Sequence, residues 1–169
     1  MIKILIIKQN TRITLTNVRF EEIFDKVHRS VSAITIQNVV KIHTDFNAAP
    51  TVNFSNIYLE SIFLNLLTNS IKYAHPSRYP IINIKSFLDS EGNTILTFQD
   101  NGIGMDLKRV QNKIFGLYQR FHSNPDGKGI GLYLIHSQIT ALGGSIIVDS
   151  AVNEGTTFTI TFPQTASSL

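Results

Sequence analysis

The 169-residue chain has no cysteine, so it forms no disulfide and no thiolate metal site, and its fold is indifferent to redox compartment. It also lacks any run of lysine and arginine, and any aromatic-plus-basic motif of the kind that reads RNA. A net charge of +3 suits an anionic ligand but is no nucleic-acid footprint. Long hydrophobic runs are missing too. The apolar residues 4–7, enclosed by Lys3 and Lys8, are too few for a membrane span or a signal-peptide core. The chain is therefore expected to be soluble and cytoplasmic with no membrane contact of its own, whatever anchors a longer parent protein. Internal repeats and low-complexity segments are absent. What is present is ordinary for a folded domain: 43% hydrophobic and 16% charged residues, in a length that makes one domain with a real core.

Residues 12–16 alternate and predict a first strand; Thr16 or Asn17 then caps a helix to about residue 30, with Glu21 and Glu22 in its first turn. Residues 39–46 read as a second strand, broken by the Asn-Ala-Ala-Pro of 47–50. Ser55 caps a long helix that continues to about Tyr73 and stops before Pro76. Residues 81–87 and 94–100 flank an Asp-Ser-Glu-Gly-Asn turn and predict a hairpin. A loop-rich stretch covers 101–128. Residues 132–142 are helical and end at Gly143 and Gly144, and a last hairpin joins 145–150 to 156–162. The tail 166–169 is expected to fray. Hairpins in place of strict βαβ alternation predict an α+β two-layer sandwich, a mixed sheet of about five strands covered by about three helices.

On the long helix Asn65, Asn69 and Lys72 fall at i, i+4 and i+7, with Tyr73 at the margin, while Leu59, Phe63, Leu66 and Ser70 share a different face that can pack on the sheet. An asparagine carbonyl is a suitable hard-oxygen ligand for Mg²⁺, and a lysine one turn away can neutralise phosphate charge. A merely solvated helix face has the same pattern. Asp100 ends a strand and enters Asn101-Gly102-Ile103-Gly104. A carboxylate there can accept a hydrogen bond from an exocyclic amine such as adenine N6, and the glycines let the backbone pass close to a base. An Asp-Asn-Gly surface turn is the alternative. Gly127, Gly129 and Gly131 lead into the helix near Leu132, whose N-terminal N–H groups can bind phosphate. This is no Walker A loop, since Lys128 is followed by Gly129, and no dinucleotide fingerprint, since no strand runs into it.

These segments, in this order, resemble the catalytic, ATP-binding domain of two-component sensor histidine kinases, in the superfamily that also contains gyrase B, Hsp90 and MutL. Residues 65–73 look like the N box, 100–105 the G1 box, 114–121 the F box, 127–132 the G2 box and 155–158 the threonine motif that follows. The resemblance implies the Bergerat ATP-binding fold over residues 12–165, with 1–11 as a stub of a preceding helical dimerisation domain. It implies that Asn69 binds Mg²⁺ with Asn65 nearby, and that Lys72 and Tyr73 contact the phosphates. Asp100 would select adenine with help from Thr157 through water, Gly102 and Gly104 passing close by. Arg120 would approach the γ-phosphate. Gly127, Lys128, Gly129, Ile130, Gly131 and Leu132 would close on the nucleotide, within or beside a mobile lid spanning 105–126. Asn65, Lys72 and Arg120 form the implied catalytic set.

Hydrolytic members of the superfamily place a glutamate at the position of Asn65, and an amide cannot act as a general base at neutral pH. Glu60, five residues earlier, is turned to the far side of the helix. The domain should then hold ATP without hydrolysing it efficiently and present the γ-phosphoryl group to a histidine on a separate phosphoacceptor domain, with a response regulator as indirect partner. No histidine here has the acceptor's following acidic residue: His28 precedes Arg29, His75 precedes Pro76, and His43, His122 and His136 lie in a strand, the lid and a late helix. Ser70 and Tyr118 stand where the family usually has alanine and phenylalanine. Two other readings are an ATPase or serine-kinase switch, which Asn65 opposes, and a non-catalytic regulatory module, which the complete motif set opposes. The isolated chain is expected to be a monomer.

Overall fold

Period-two alternation governs the last strand, β7 (Gly155–Phe162), where Thr156, Phe158, Ile160 and Phe162 are all buried. In the computed structural model, which describes residues 13–110, 113–116 and 130–164, β7 lies inside a five-stranded sheet. The sheet order is β2 (Lys41–Asp45), β4 (Ile81–Leu88), β5 (Thr94–Asp100), β7, β6 (Ser145–Ala151). Strands β2 and β4 pair in parallel and the rest antiparallel, so the sheet is mixed. Ile82, Ile84, Leu96, Phe98, Ile146 and the β7 residues send one apolar face toward the helices.

Three longer helices cover that face: α1 (Phe20–Ser30), α3 (Asn56–Lys72) and α5 (Gly131–Thr140). Phe20, Phe24 and Val27 recur at helical spacing on α1, and Leu59, Ile62, Phe63, Leu66, Leu67 and Ser70 on α3. Phe20 and Phe63 meet edge to face at 6.5 Å, and Phe54 meets Phe162 at 4.8 Å. Burying one such ring is worth about 1.5–3 kcal/mol, so these contacts hold the helical layer on the sheet. Ser55 caps α3 by accepting from the Tyr58 amide at 3.4 Å, as expected. At the end of α5, Gly143 takes φ +80° and donates to Thr140 O, while Gly144 donates to Ile139 O, closing the helix with a left-handed residue.

The N-terminal elements differ from their expected form. The first strand is β1, Thr16–Arg19, and Thr16 and Asn17 lie in it instead of capping a helix. The reason is β3 (Thr51–Phe54), a strand not anticipated from the sequence, which pairs antiparallel with β1 and keeps it extended. Helix α1 therefore starts without a side-chain cap, and the Phe20 amide donates to Pro50 O at 3.1 Å instead. Two short helices, α2 (Ser32–Gln37) and α4 (Leu107–Val110), were likewise not anticipated. No helix among the described residues is long and apolar enough to cross a membrane.

Candidate functional site

The polar face of α3 meets the beginning of α5. Asn65 Nδ2 donates to Ser61 O one turn back at 2.8 Å, which turns its carbonyl Oδ1 outward toward Gly131. A Cβ at Gly131 would lie 2.9 Å from Asn65 Oδ1, close enough to displace that amide, and in ordinary contact, 3.9 Å, with Asn69 Nδ2. Ser61 is gripped from α5 as well, by Gln138 Nε2 at 3.1 Å. Asn69 is half-buried, and its side chain makes no hydrogen bond to another described residue. Lys72 follows, its ammonium 5.5 Å from the centre of the Tyr73 ring. Glu60 bonds Lys26 of α1 and is thereby committed to the opposite side of the helix.

A second cluster forms where β5 ends. Asp100 Oδ2 accepts from Ser70 Oγ at 3.1 Å, and Oδ1 accepts from the Gly102 amide at 2.9 Å and the Thr156 amide at 3.3 Å. Burial pushes the carboxyl above its usual range, and these hydrogen bonds, which favour the charged form, only partly offset that. The backbone is packed tightly around it. A Cβ on Gly102 would sit 2.5 Å from Tyr73 O, one on Gly104 (φ +63°) 1.9 Å from Ala151 O, and one on Gly155 (φ +111°) 2.0 Å from Asp100 O. Ser150 Oγ ties the loop to the last hairpin, accepting from the Met105 amide at 2.9 Å and lying 3.0 Å from Thr156 Oγ1.

Register decides which threonine belongs here. Thr156 pairs with Asp100 and Thr157 with Gln99, so period-two alternation puts Thr156 beside the carboxylate and Thr157 on the other face of the sheet. Thr156 is thus the threonine that lies beside the Asp100 carboxylate, while the expected Thr157 faces away from it. It brings Asn65, Asn69 and Gly131 together, and Asp100 with Gly102, Gly104 and the Tyr73 carbonyl. The two clusters are joined by adjacency on α3, where Ser70, which holds Asp100, follows Asn69. Ile130 precedes α5 and Leu132 packs partly against the core. Arg120, Gly127, Lys128 and Gly129 lie outside the described residues, as do residues 1–12, most of the expected lid, His122, Tyr118 and the tail. Within the described part of the lid, Ile114 is buried and Phe115 stacks on His136 at 5.0 Å.

Sequence reasoning missed Ser61 and Arg78, took Gly155 only as part of the 155–158 motif, and placed Ser70 as a packing residue. Arg78 donates from Nε to Asn101 O at 2.7 Å and from Nη2 to Gly102 O at 3.0 Å and to Asn153 O. No helical or strand period points to a loop arginine; what the motif did not show of Gly155 is the positive φ its turn requires.

The donor set defines what could bind. One end offers a half-buried carboxylate acceptor. The other offers two amides, an ammonium and the N-terminus of a helix, a combination that attracts phosphate. No group of three His, Asp or Glu side chains able to hold a metal exists among the described residues. A divalent cation here would take an amide oxygen from the protein and its remaining oxygens from phosphate and water, which fits Mg²⁺.

A family model described as "Histidine kinase-, DNA gyrase B-, and HSP90-like ATPase" matches residues 55–166. The methanogenesis regulatory histidine kinase FilI of Methanothrix harundinacea is 33% identical over 68% of this chain and 13% of its own length. Cyanobacterial phytochrome A of Nostoc is 34% identical over 68% of this chain and 15% of its own. The chain thus spans less than a sixth of either relative's length. Among solved structures, the mycobacterial sensor histidine kinase MprB superposes with a TM-score of 0.72 at 22% identity, covering 88% of this chain and 97% of that one. Full-length ShkA in complex with AMPPNP gives 0.74 at 21% identity, over 93% of this chain and 33% of that one. With the N-box helix, the G1 loop and the five-stranded sheet all in place, the chain belongs to the histidine kinase-, gyrase B- and HSP90-like ATPase family, as a domain of the catalytic, ATP-binding type found in sensor histidine kinases.

Proposed function

We propose that this domain binds Mg-ATP and donates the γ-phosphoryl group to a histidine on a dimerisation domain outside this chain, in two-component signalling. The observation that carries the reading is the pairing of two ends on one helix: Ser70 holds Asp100, and Asn65 and Asn69 face the start of α5. Asp100 would accept from the adenine amine, with Thr156 beside it. Asn69 would supply the protein's ligand to Mg²⁺, which when bound neutralises phosphate charge. Lys72, Tyr73, Arg120 and the 127–132 segment would hold the phosphates. Catalysis is then positioning and charge neutralisation: a P–N bond forms to the acceptor imidazole as the P–O bond to ADP breaks.

Asn65 in place of a carboxylate, with Glu60 tied to Lys26, leaves no base near the phosphate end of the described site to activate water. His28 and His136 stack on Phe24 and Phe115, ordinary structural positions that support an acceptor supplied from elsewhere. Calorimetric titration of Asn69→Ala with a non-hydrolysable ATP analogue tests the metal assignment. Losing one metal-dependent interaction should weaken Mg-dependent binding by at least about tenfold and leave metal-free binding nearly unchanged. Parental affinity for Mg-ATP in that variant would refute it.

A further inference from the structure

Arg78 lies on the segment between α3 and β4, with no carboxylate partner among the described residues, and spends its guanidinium on main-chain carbonyls. Two of those carbonyls belong to peptide groups whose opposite ends are also engaged. The peptide that offers Asn101 O to Arg78 Nε at 2.7 Å donates through the Gly102 amide to Asp100 Oδ1 at 2.9 Å. The next peptide offers Gly102 O to Arg78 Nη2 at 3.0 Å and donates through the Ile103 amide to Tyr73 O at 2.9 Å. The third carbonyl, Asn153 O, belongs to the β6–β7 turn, whose Asn153 amide returns to Ile103 O at 2.7 Å.

We propose that Arg78 is a positioning residue for adenine recognition: it orients the two peptide planes of the 101–103 loop so that the Gly102 amide is held against Asp100. The inference rests on the proposed role of Asp100 in reading the base. A cation at one end of a peptide polarises it, so the N–H at the other end becomes a better donor to the carboxylate. A guanidinium is suited to the task because its planar fork reaches several acceptors at fixed angles, which a lysine ammonium cannot reproduce. Gly102 is the residue that permits the arrangement, since any Cβ there would collide with Tyr73 O and Asp100 Oδ1.

The test compares parent, Arg78→Ala and Arg78→Lys, each titrated with Mg²⁺ and non-hydrolysable ATP and GTP analogues, alone and in an Asp100→Asn background. Losing charge-assisted bonds that act through Asp100 should weaken the ATP analogue by about tenfold to a hundredfold in Arg78→Ala and shrink the ATP-to-GTP affinity ratio. Arg78→Lys should recover part of that loss, and Arg78→Ala should add little once Asp100 is already Asn. Equal losses for both nucleotides, or a full additional loss in the Asp100→Asn background, would overturn the proposal in favour of a general structural role. A second readout does not depend on nucleotide: the Gly102 amide proton in the ligand-free chain should resonate downfield and move upfield in both Arg78 variants. An unmoved resonance also overturns the proposal. A parent that binds neither nucleotide, with the amide shift intact, would instead remove the adenine reading and leave the Arg78–Gly102–Asp100 linkage standing only as a structural contact.

Discussion

Asp100 is the residue on which the site's electrostatics turn. Its carboxyl is raised by burial, so the folded state holds the proton to higher pH than the unfolded chain does. The sign follows from linkage. The contribution is fully present below the ordinary carboxylate pKa and is lost as pH rises through the raised folded value, where a buried charge must form. Asp100→Asn should therefore lose less stability than the parent between about pH 4 and pH 7, which urea midpoints measured across that window would check. Equal pH slopes in the two proteins would contradict the burial argument. Asp100 itself was legible from its place at a strand end before Asn-Gly. Its distant hydrogen-bond donors were not, because Ser70 and the Thr156 amide come from segments far apart in sequence, and only tertiary structure brings them to one carboxylate. The choice between Thr156 and Thr157 has the same origin: either can lie beside Asp100 until pairing with β5 fixes the register.

At the scale of elements, α3 and α5 form the phosphate end by close approach, and Gly131 is the contact. Gly131→Ala isolates packing from propensity. Alanine favours a helix interior over glycine by about 1 kcal/mol, and at the first residue of α5 only part of that is gained, so stability should change by less than that. Its Cβ would nonetheless press to 2.9 Å from Asn65 Oδ1, whose amide is anchored to Ser61 O, and nucleotide affinity should fall by about tenfold. Thermal melts and titration together read the two effects, and unchanged affinity would mean the Asn65–Gly131 contact does not shape the site. The elements legible in the sequence were those with a long period or a chemical stop, such as α3 between Ser55 and Pro76, the hairpins around Gly92 and Gly155, and α5 before Gly143. The four-residue strands β1 and β3 were not, since each exists through its pairing with the other. The short α2 lacks a side-chain cap, and the exposed Ile34 and Ile36 hide any clear amphipathic stripe.

For the whole molecule, a single helical layer over a mixed sheet brings α5 against α3 and the G1 loop against the end of α3, the place that the proposed function gives to the nucleotide. The fold class was legible because hairpin order alone excludes a strictly parallel sheet. The chain covers 13% of the length of FilI and 15% of that of cyanobacterial phytochrome A. The most direct test of this view is calorimetric titration of the chain with a non-hydrolysable ATP analogue, with and without Mg²⁺, and with GTP as control. Adenine-selective binding that strengthens on adding Mg²⁺ is the expected result. No binding at about millimolar nucleotide, an affinity of only about −4 kcal/mol, would contradict it and leave a regulatory module that keeps the fold without the chemistry.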